Sequence, residues 1–114
     1  MTTVFVDVSD LPPGGLRAVK VGELDLVVCH AEGAFFALEN RCPHAFVPLD
    51  AGRLEGCVLE CPLHGGRLDV RDGSPRAQPL RKPATTFAVR PVPGGIEIDP
   101  TSRAAGARRE PCTT

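Results

Sequence analysis

The chain contains no tryptophan and no tyrosine, and it has only five phenylalanines among its 114 residues. It also lacks an excess of positive charge, because 13 Lys and Arg face 14 Asp and Glu for a net charge of −1. Nucleic-acid-binding proteins rely on basic surfaces and on aromatic rings that stack on bases. The composition therefore argues against a nucleic-acid partner and favours a protein partner.

Long hydrophobic runs are also missing. No apolar stretch approaches the ~20 residues that a membrane-spanning helix requires. Residues 1–7 lack the basic and then apolar layout of a signal peptide. Five cysteines without such a signal favour thiols and metal ligands over a disulfide framework. We therefore expect a cytoplasmic protein without a membrane segment.

The sequence shows no sustained helical periodicity. Instead, short extended segments alternate with turns rich in proline and glycine. The segments predicted as extended are Val4–Val8, Arg17–Val21, Leu24–Cys29, Ala34–Leu38, Arg53–Glu55, Cys57–Glu60, Arg67–Val70, Thr85–Val89 and Ile96–Asp99. Residues 74–83 are predicted to form an irregular loop. The pattern predicts one all-β domain over residues 1–100 and a disordered tail over residues 101–114.

Two short motifs, separated by residues 45–60, carry the potential metal ligands. The first offers Cys42 and His44, and the second offers Cys61 and His64. Two thiolates and two imidazoles are the ligand set of a binuclear iron–sulfur centre in which histidines hold one iron. We predict that Cys42 and Cys61 bind one iron and that His44 and His64 bind the other. No residue is predicted to be catalytic.

The charges of these ligands indicate what such a centre does. Two thiolates bring an oxidised centre of two ferric ions and two sulfides to zero charge, whereas four thiolates would make it a dianion. Adding an electron to a neutral centre is easier than adding one to a dianion, so imidazole ligands raise the reduction potential. We therefore interpret the chain as a one-electron carrier and not as an enzyme.

The same residues have other interpretations. Sets of two cysteines and two histidines also hold structural zinc in small interaction modules, although zinc ligands more often occur as Cys-x-x-Cys pairs with wider histidine spacing. Cys57 could compete with Cys61 as a ligand, but we interpret it as a small buried hydrophobe. We interpret His30, which follows Cys29, as a surface residue and not as part of a second metal pair.

The residues around both motifs resemble a known family. Residues 42–49 (Cys-Pro-His-Ala-Phe-Val-Pro-Leu), residues 61–69 (Cys-Pro-Leu-His-Gly-Gly-Arg-Leu-Asp) and Gly73 are similar to the Rieske-type ferredoxins of bacterial aromatic-ring-hydroxylating dioxygenase systems. The resemblance implies a Rieske-type [2Fe-2S] cluster and the Rieske iron–sulfur fold. That fold has an antiparallel β-sandwich base and a small cluster-binding subdomain, which would span about residues 41–80.

The resemblance also implies partners. A Rieske ferredoxin shuttles electrons from an NAD(P)H-dependent flavoprotein reductase to a terminal oxygenase in aromatic hydrocarbon catabolism, with transient docking near His44 and His64. Phe46 could take part in docking or shield the cluster from water. A non-catalytic Rieske-like small subunit of another oxidoreductase, such as nitrite reductase, is an alternative. Respiratory and photosynthetic Rieske subunits carry disulfide cysteines where this chain has Val47 and Leu63, which favours the soluble, low-potential branch.

Overall fold

The computed structural model describes residues 3–42, 47–62, 65–77 and 84–103. The elements are β1 (Val4–Val6), β2 (Leu16–Val21), β3 (Leu24–Ala31), β4 (Ala34–Glu39), a 3-10 turn (Leu49–Ala51), β5 (Arg53–Glu55), β6 (Val58–Glu60), β7 (Arg67–Asp69), β8 (Pro75–Ala77), β9 (Thr86–Val92) and β10 (Gly95–Arg103). The described part of the chain contains no α-helix, and no helix in it is long and apolar enough to cross a bilayer. The prediction of an all-β protein is confirmed.

The larger sheet is antiparallel and has the strand order β1-β10-β9-β4-β3-β2. Its two halves are joined by only two residue pairs between β4 and β9, Ala37 with Phe87 and Leu38 with Thr86. Both halves contribute to one buried apolar cluster, which contains Val8, Leu11, Val21, Leu26, Val28, Ala37, Phe87, Ile96 and Ile98. The halves therefore pack face to face as the β-sandwich base that the resemblance implied.

Strand β3 is buried on both of its faces. Because successive side chains alternate across a strand, Leu26 and Val28 contribute to the sandwich cluster, while Val27 and Cys29 point the opposite way. These two residues belong to a second buried cluster outside the sandwich. The base therefore offers an apolar surface on which another layer can pack.

A smaller antiparallel sheet with the order β5-β6-β7-β8 covers that surface. Leu54, Leu59 and Leu68 lie opposite one another on its first three strands, and all three are buried in the second cluster with Val27 and Cys29. Burying apolar surface stabilises folding by roughly 25 cal/mol per Å². This row of leucines therefore holds the small sheet against the base.

Strand β8 lies within the segment that we predicted as an irregular loop, so that prediction is wrong for residues 75–77. The strand pairs with β7 through Arg67 with Ala77 and Leu68 with Pro75. Proline has no N–H to donate, but it is tolerated in an edge strand, and β8 is the edge of its sheet. The three prolines within residues 74–83 led to the prediction of a loop here.

Strand β10 extends beyond the predicted domain end at residue 100, so residues 101–103 are strand and not tail. The ladder shifts register between Asp99 and Arg103. Asp99 Oδ1 accepts hydrogen bonds from the backbone N–H of Thr101 at 2.9 Å and from its Oγ1 at 2.7 Å. This local turn bypasses Pro100 and lets the chain return to pair with Phe87. Residues 104–114 lie outside the described residues.

Gly73 joins the small sheet to the base. Its N–H donates to the carbonyl of Asp69 at 2.6 Å, and its own carbonyl accepts from the N–H of Ala84 at 2.8 Å. Its φ of +78° is in the left-handed region, and a Cβ added there would collide with the backbone carbonyl oxygen of Ala84. Glycine is therefore required both by conformation and by space.

Replacing Gly73 with alanine should lower the free energy of unfolding by about 2–3 kcal/mol, because overpacking adds to left-handed strain. Gly22→Ala is the matched control, since Gly22 also has a positive φ of +63° but a Cβ there would have nothing within 4 Å. We expect the control to lose only about 1 kcal/mol from strain. Urea denaturation of both variants measures the difference, and equal losses would contradict the close contact with Ala84.

Candidate metal centre

The structure describes two of the four predicted metal ligands. Cys42 and Cys61 are in the described part of the chain, whereas His44 and His64 lie outside it, as does Phe46. Within the described ranges, no group of three or more His, Cys, Asp and Glu side chains is arranged to hold a metal. The predicted site therefore depends on the two histidines together with the two cysteines.

Cys42 enters the site from the end of β4. Asn40, two residues earlier, forms two hydrogen bonds of 2.9 Å with Asp50 in the 3-10 turn. Asn40 Nδ2 donates to Asp50 Oδ1, and the backbone N–H of Asp50 donates to Asn40 Oδ1. The backbone N–H of Asn40 donates to the carbonyl of Asp25 at 2.8 Å. These bonds tie both ends of the first ligand loop to the base.

Cys61 enters the site from the end of β6, and its approach depends on Gly52. The φ of Gly52 is −85°, which any residue can adopt. A Cβ at this position would nevertheless collide with the carbonyl oxygen of Glu60, the residue before Cys61. Gly52 is therefore needed for space alone, because the 3-10 turn packs directly on the peptide that leads into the second ligand loop.

The two ligand loops are closed in the same way. The N–H of Cys42 donates to the carbonyl of Val47 at 2.8 Å, and the N–H of Cys61 donates to the carbonyl of Gly66 at 2.6 Å. Each cysteine thus bonds to the residue five positions further along. The equivalent closures give the two loops the same span, with the cysteine at the start of each.

The donor chemistry of the two cysteines fits an iron–sulfur cluster. Their residues are 0% and 2% exposed, they belong to the same apolar cluster, and neither is in a disulfide. A thiolate buried in apolar surroundings is costly unless a positive partner compensates its charge. Iron is such a partner, and thiolate sulfur is a preferred ligand of iron–sulfur clusters.

The remaining cysteines of the described residues do not compete for this role. Cys29 is fully buried, and burial raises the pKa of its thiol, which keeps it protonated and unreactive. Cys57, which we expected to be a small buried hydrophobe, is 0% exposed, and its Sγ lies 3.7 Å from Asp69 Oδ2.

His30 has a structural role and is half-buried, so the expectation of a surface residue is wrong. Its Nδ1 lies 2.9 Å from the carbonyl oxygen of Leu11, and its ring packs on Phe35 with centroids 4.2 Å apart. Its backbone also exchanges hydrogen bonds with the loop, accepting from Gly14 N–H and donating to Gly15 carbonyl. His30 thus anchors the loop before β2.

A buried ion-pair group next to the second ligand loop was not predicted. The Asp69 side chain is 0% exposed. Its Oδ1 accepts from Arg71 Nε at 3.1 Å, and its Oδ2 accepts from Arg71 Nη2 at 2.9 Å and from Arg76 Nη1 at 3.1 Å. The hydrogen bond to Asp69 raises the pKa of Arg71. The group fixes the turn between β7 and β8, just after the second ligand loop.

Comparison with known proteins agrees with this geometry. A sequence profile of the Rieske [2Fe-2S] domain matches residues 2–89. The ferredoxin component of biphenyl 2,3-dioxygenase from Rhodococcus jostii (strain RHA1) is 40% identical over 90 residues, which cover 79% of this chain and 84% of that protein.

Solved structures show the same likeness. The ferredoxin of carbazole 1,9a-dioxygenase from Nocardioides aromaticivorans IC177 superimposes with a TM-score of 0.82 at 33% identity, covering 88% of this chain and 99% of that one. A second match is a chain from the solved complex of reduced oxygenase and oxidised ferredoxin in carbazole 1,9a-dioxygenase. It superimposes with a TM-score of 0.76 at 33% identity, covering 94% of both chains. The chain therefore belongs to the Rieske [2Fe-2S] family, with a [2Fe-2S] cluster as its cofactor and with the role of a ferredoxin, an electron carrier and not a catalyst.

Proposed function

We propose that this protein carries single electrons from an NAD(P)H-dependent flavoprotein reductase to the terminal oxygenase of a ring-hydroxylating dioxygenase system. The observation that carries the proposal is the pair of equivalent closed loops, each starting with a buried cysteine in one apolar cluster. The relatives support the system, since they are ferredoxin components of dioxygenases.

The proposed ligands are Cys42 and Cys61 on one iron and His44 and His64 on the other. The bound [2Fe-2S] cluster supplies one-electron redox chemistry, at a potential that the neutral imidazoles raise above that of an all-cysteine site. The apolar cluster around the cysteines excludes water from the sulfur side. A low local dielectric strengthens every charge effect at such a site.

Docking is proposed at the two ligand loops, near His44 and His64. Support comes from the carbazole dioxygenase system, in which an oxygenase and a ferredoxin form a complex. In this chain, Pro48 and Pro62 are exposed beside the loops. Rigid prolines lose little conformational entropy on contact, which suits a small transient interface.

Two further parts of the proposal concern organisation and location. The Rieske domain is proposed to contain a cluster-binding subdomain over about residues 41–80, and the small sheet of β5 to β8 falls within that range. Because β10 continues to Arg103, we place the end of the domain there instead of at residue 100. A reducing cytoplasmic location is proposed because the ligand thiols must be reduced before a cluster assembles.

Electron paramagnetic resonance of the dithionite-reduced protein tests the ligand set. We expect a signal whose average g value is lower than that of all-cysteine [2Fe-2S] clusters, because two imidazoles replace two thiolates. Iron and labile sulfide should be present in equal amounts. A colourless protein that contains zinc, or an average g value typical of four cysteine ligands, would contradict the assignment.

Stopped-flow mixing tests the partners separately. The cluster spectrum should bleach when the oxidised protein meets a Rieske-ferredoxin reductase with NADH, and it should recover when the reduced protein meets a dioxygenase terminal oxygenase. Recovery with the oxygenase should slow as salt increases if charges steer the encounter. A protein with the expected resonance signal that exchanges no electrons with either partner would retain the cofactor assignment and exclude the dioxygenase role.

A further inference from the structure

The carboxylate of Glu60 lies beside the second ligand loop. Glu60 ends β6 and directly precedes Cys61. Its Oε2 is 3.4 Å from the position that a Cβ on Gly65 would occupy, so the carboxylate rests against the residue that follows His64. Its side chain is 30% exposed, which means that most of it is removed from bulk water.

Two arginines and a closely packed backbone lie around Glu60. Within the small sheet, Glu60 lies opposite Arg53 on β5 and opposite Arg67 on β7. Arg53 Nη2 is 3.6 Å from Glu60 Oε1. The close packing of Gly52 on the Glu60 carbonyl holds the backbone as well. Glu60 therefore lies at the loop beside an arginine, with most of its side chain out of bulk water.

We propose that Glu60 sets the reduction potential of the cluster by placing a fixed negative charge next to the second ligand loop. An electron added to the cluster is repelled by that charge, so the carboxylate lowers the potential, while the guanidinium of Arg53 opposes it. The proposal rests on the proposed ligand set, in which Cys61 and His64 hold the cluster. It assigns a function to a residue that contacts the loop and ligates nothing.

Glu55 offers a matched control for the charge. Its Oε1 is 3.8 Å from Nη2 of the same Arg53, so both glutamates share one arginine. Glu55 pairs with Val58, which lies two positions before Glu60 on β6. Because two strand positions span about 7 Å, Glu55 lies about that much further from Cys61 along the sheet. Its side chain is 67% exposed. Screening by water and salt should therefore weaken its effect on the cluster.

The test is a spectroelectrochemical titration of the full-length protein with its cluster, at one pH and at low salt. Glu60→Gln should raise the reduced-to-oxidised ratio at a fixed applied potential about threefold, which is about 28 mV at 59 mV per tenfold change. Glu55→Gln should produce less than half of that shift. Arg53→Gln should shift the potential in the opposite direction. Raising the salt to 1 M should reduce the Glu55→Gln and Arg53→Gln shifts more than the Glu60→Gln shift, because exposed charges are screened more strongly than partly buried ones.

Equal shifts for Glu60→Gln and Glu55→Gln would overturn the proposal, as would an unchanged potential in Glu60→Gln. Failure of Glu60→Gln to assemble the cluster would also overturn it, because the carboxylate would then be structural. The resonance spectrum of each variant separates this failure from failure of the proposed function. A wild-type protein without the mixed-ligand signal refutes the ligand set, whereas an intact signal with an unmoved potential refutes only the role of Glu60.

Discussion

Cys61→Ala should yield a colourless protein that contains neither iron nor labile sulfide. The Cys61 sulfur is buried at the start of a loop that the backbone closes, whereas Cys29 lies within β3 and Cys57 lies in the turn before β6. Loss of one of the two proposed thiolate ligands should therefore abolish assembly instead of weakening it. The same result is expected for Cys42→Ala, His44→Ala and His64→Ala. Visible absorption and chemical analysis of iron and sulfide measure it.

The chain provides internal controls for both ligand types. Cys29 is a second buried cysteine in the same apolar cluster, and His30 is a histidine with a defined hydrogen bond to Leu11. Cys29→Ala and His30→Ala should cost stability by removing packing or a hydrogen bond, but each variant should retain the full cluster spectrum. A brown Cys61→Ala protein, or a folded Cys29→Ala protein without a cluster, would refute the assignment.

Losing the cluster should also make the fold less stable. Metal ligands that are not preformed in the unfolded chain couple binding free energy to folding. Cys42 and Cys61 lie in the buried apolar cluster that joins the small sheet to the base. Thermal unfolding of Cys61→Ala should therefore begin at a lower temperature than that of Cys29→Ala, even though both variants remove a buried sulfur.

Most strands of the base could be predicted because their pairing partners are close in the sequence. The strands β3 and β4 carry alternating or continuous apolar residues around the Glu32-Gly33 turn, and the structure pairs them from Ala31 with Ala34 to Leu26 with Glu39. Local alternation is sufficient for such a hairpin. The strand β8 also pairs with a neighbour in sequence, β7, but it is only three residues long and begins with Pro75, so its composition indicated a loop.

The candidate site could also be predicted only in part. The type and spacing of the cysteines and histidines are properties of the sequence, so a metal site could be predicted from them directly. The charges near the site depend on sheet register instead. Glu60 meets Arg53 only because β5 and β6 pair as they do, and Asp69 meets Arg76 only because β8 exists. Sequence spacing alone does not show which of the many charged residues are brought together.

Asp69→Asn should lower the free energy of unfolding by about 3–5 kcal/mol, the cost of removing one partner from a buried ion pair. The carboxylate is completely buried, and it accepts four hydrogen bonds from Arg71 and Arg76, counting the Arg71 backbone N–H at 2.9 Å. An amide keeps the shape but replaces one accepting oxygen with a donor that faces guanidinium groups. The side chain of Arg71 is only 17% exposed, so its charge would lose its compensating partner inside the protein.

Asp25→Asn is the matched control, because Asp25 forms an exposed pair with Lys20 at 3.6 Å with both side chains about two-thirds exposed or more. We expect it to change the free energy of unfolding by less than about 1 kcal/mol. Urea titrations at neutral pH compare the two variants. If Asp69→Asn cost no more than Asp25→Asn, both arginines would have to reach water after the substitution. The turn between β7 and β8 would then be held by its backbone hydrogen bonds, such as Gly73 N–H to the Asp69 carbonyl, and not by charge.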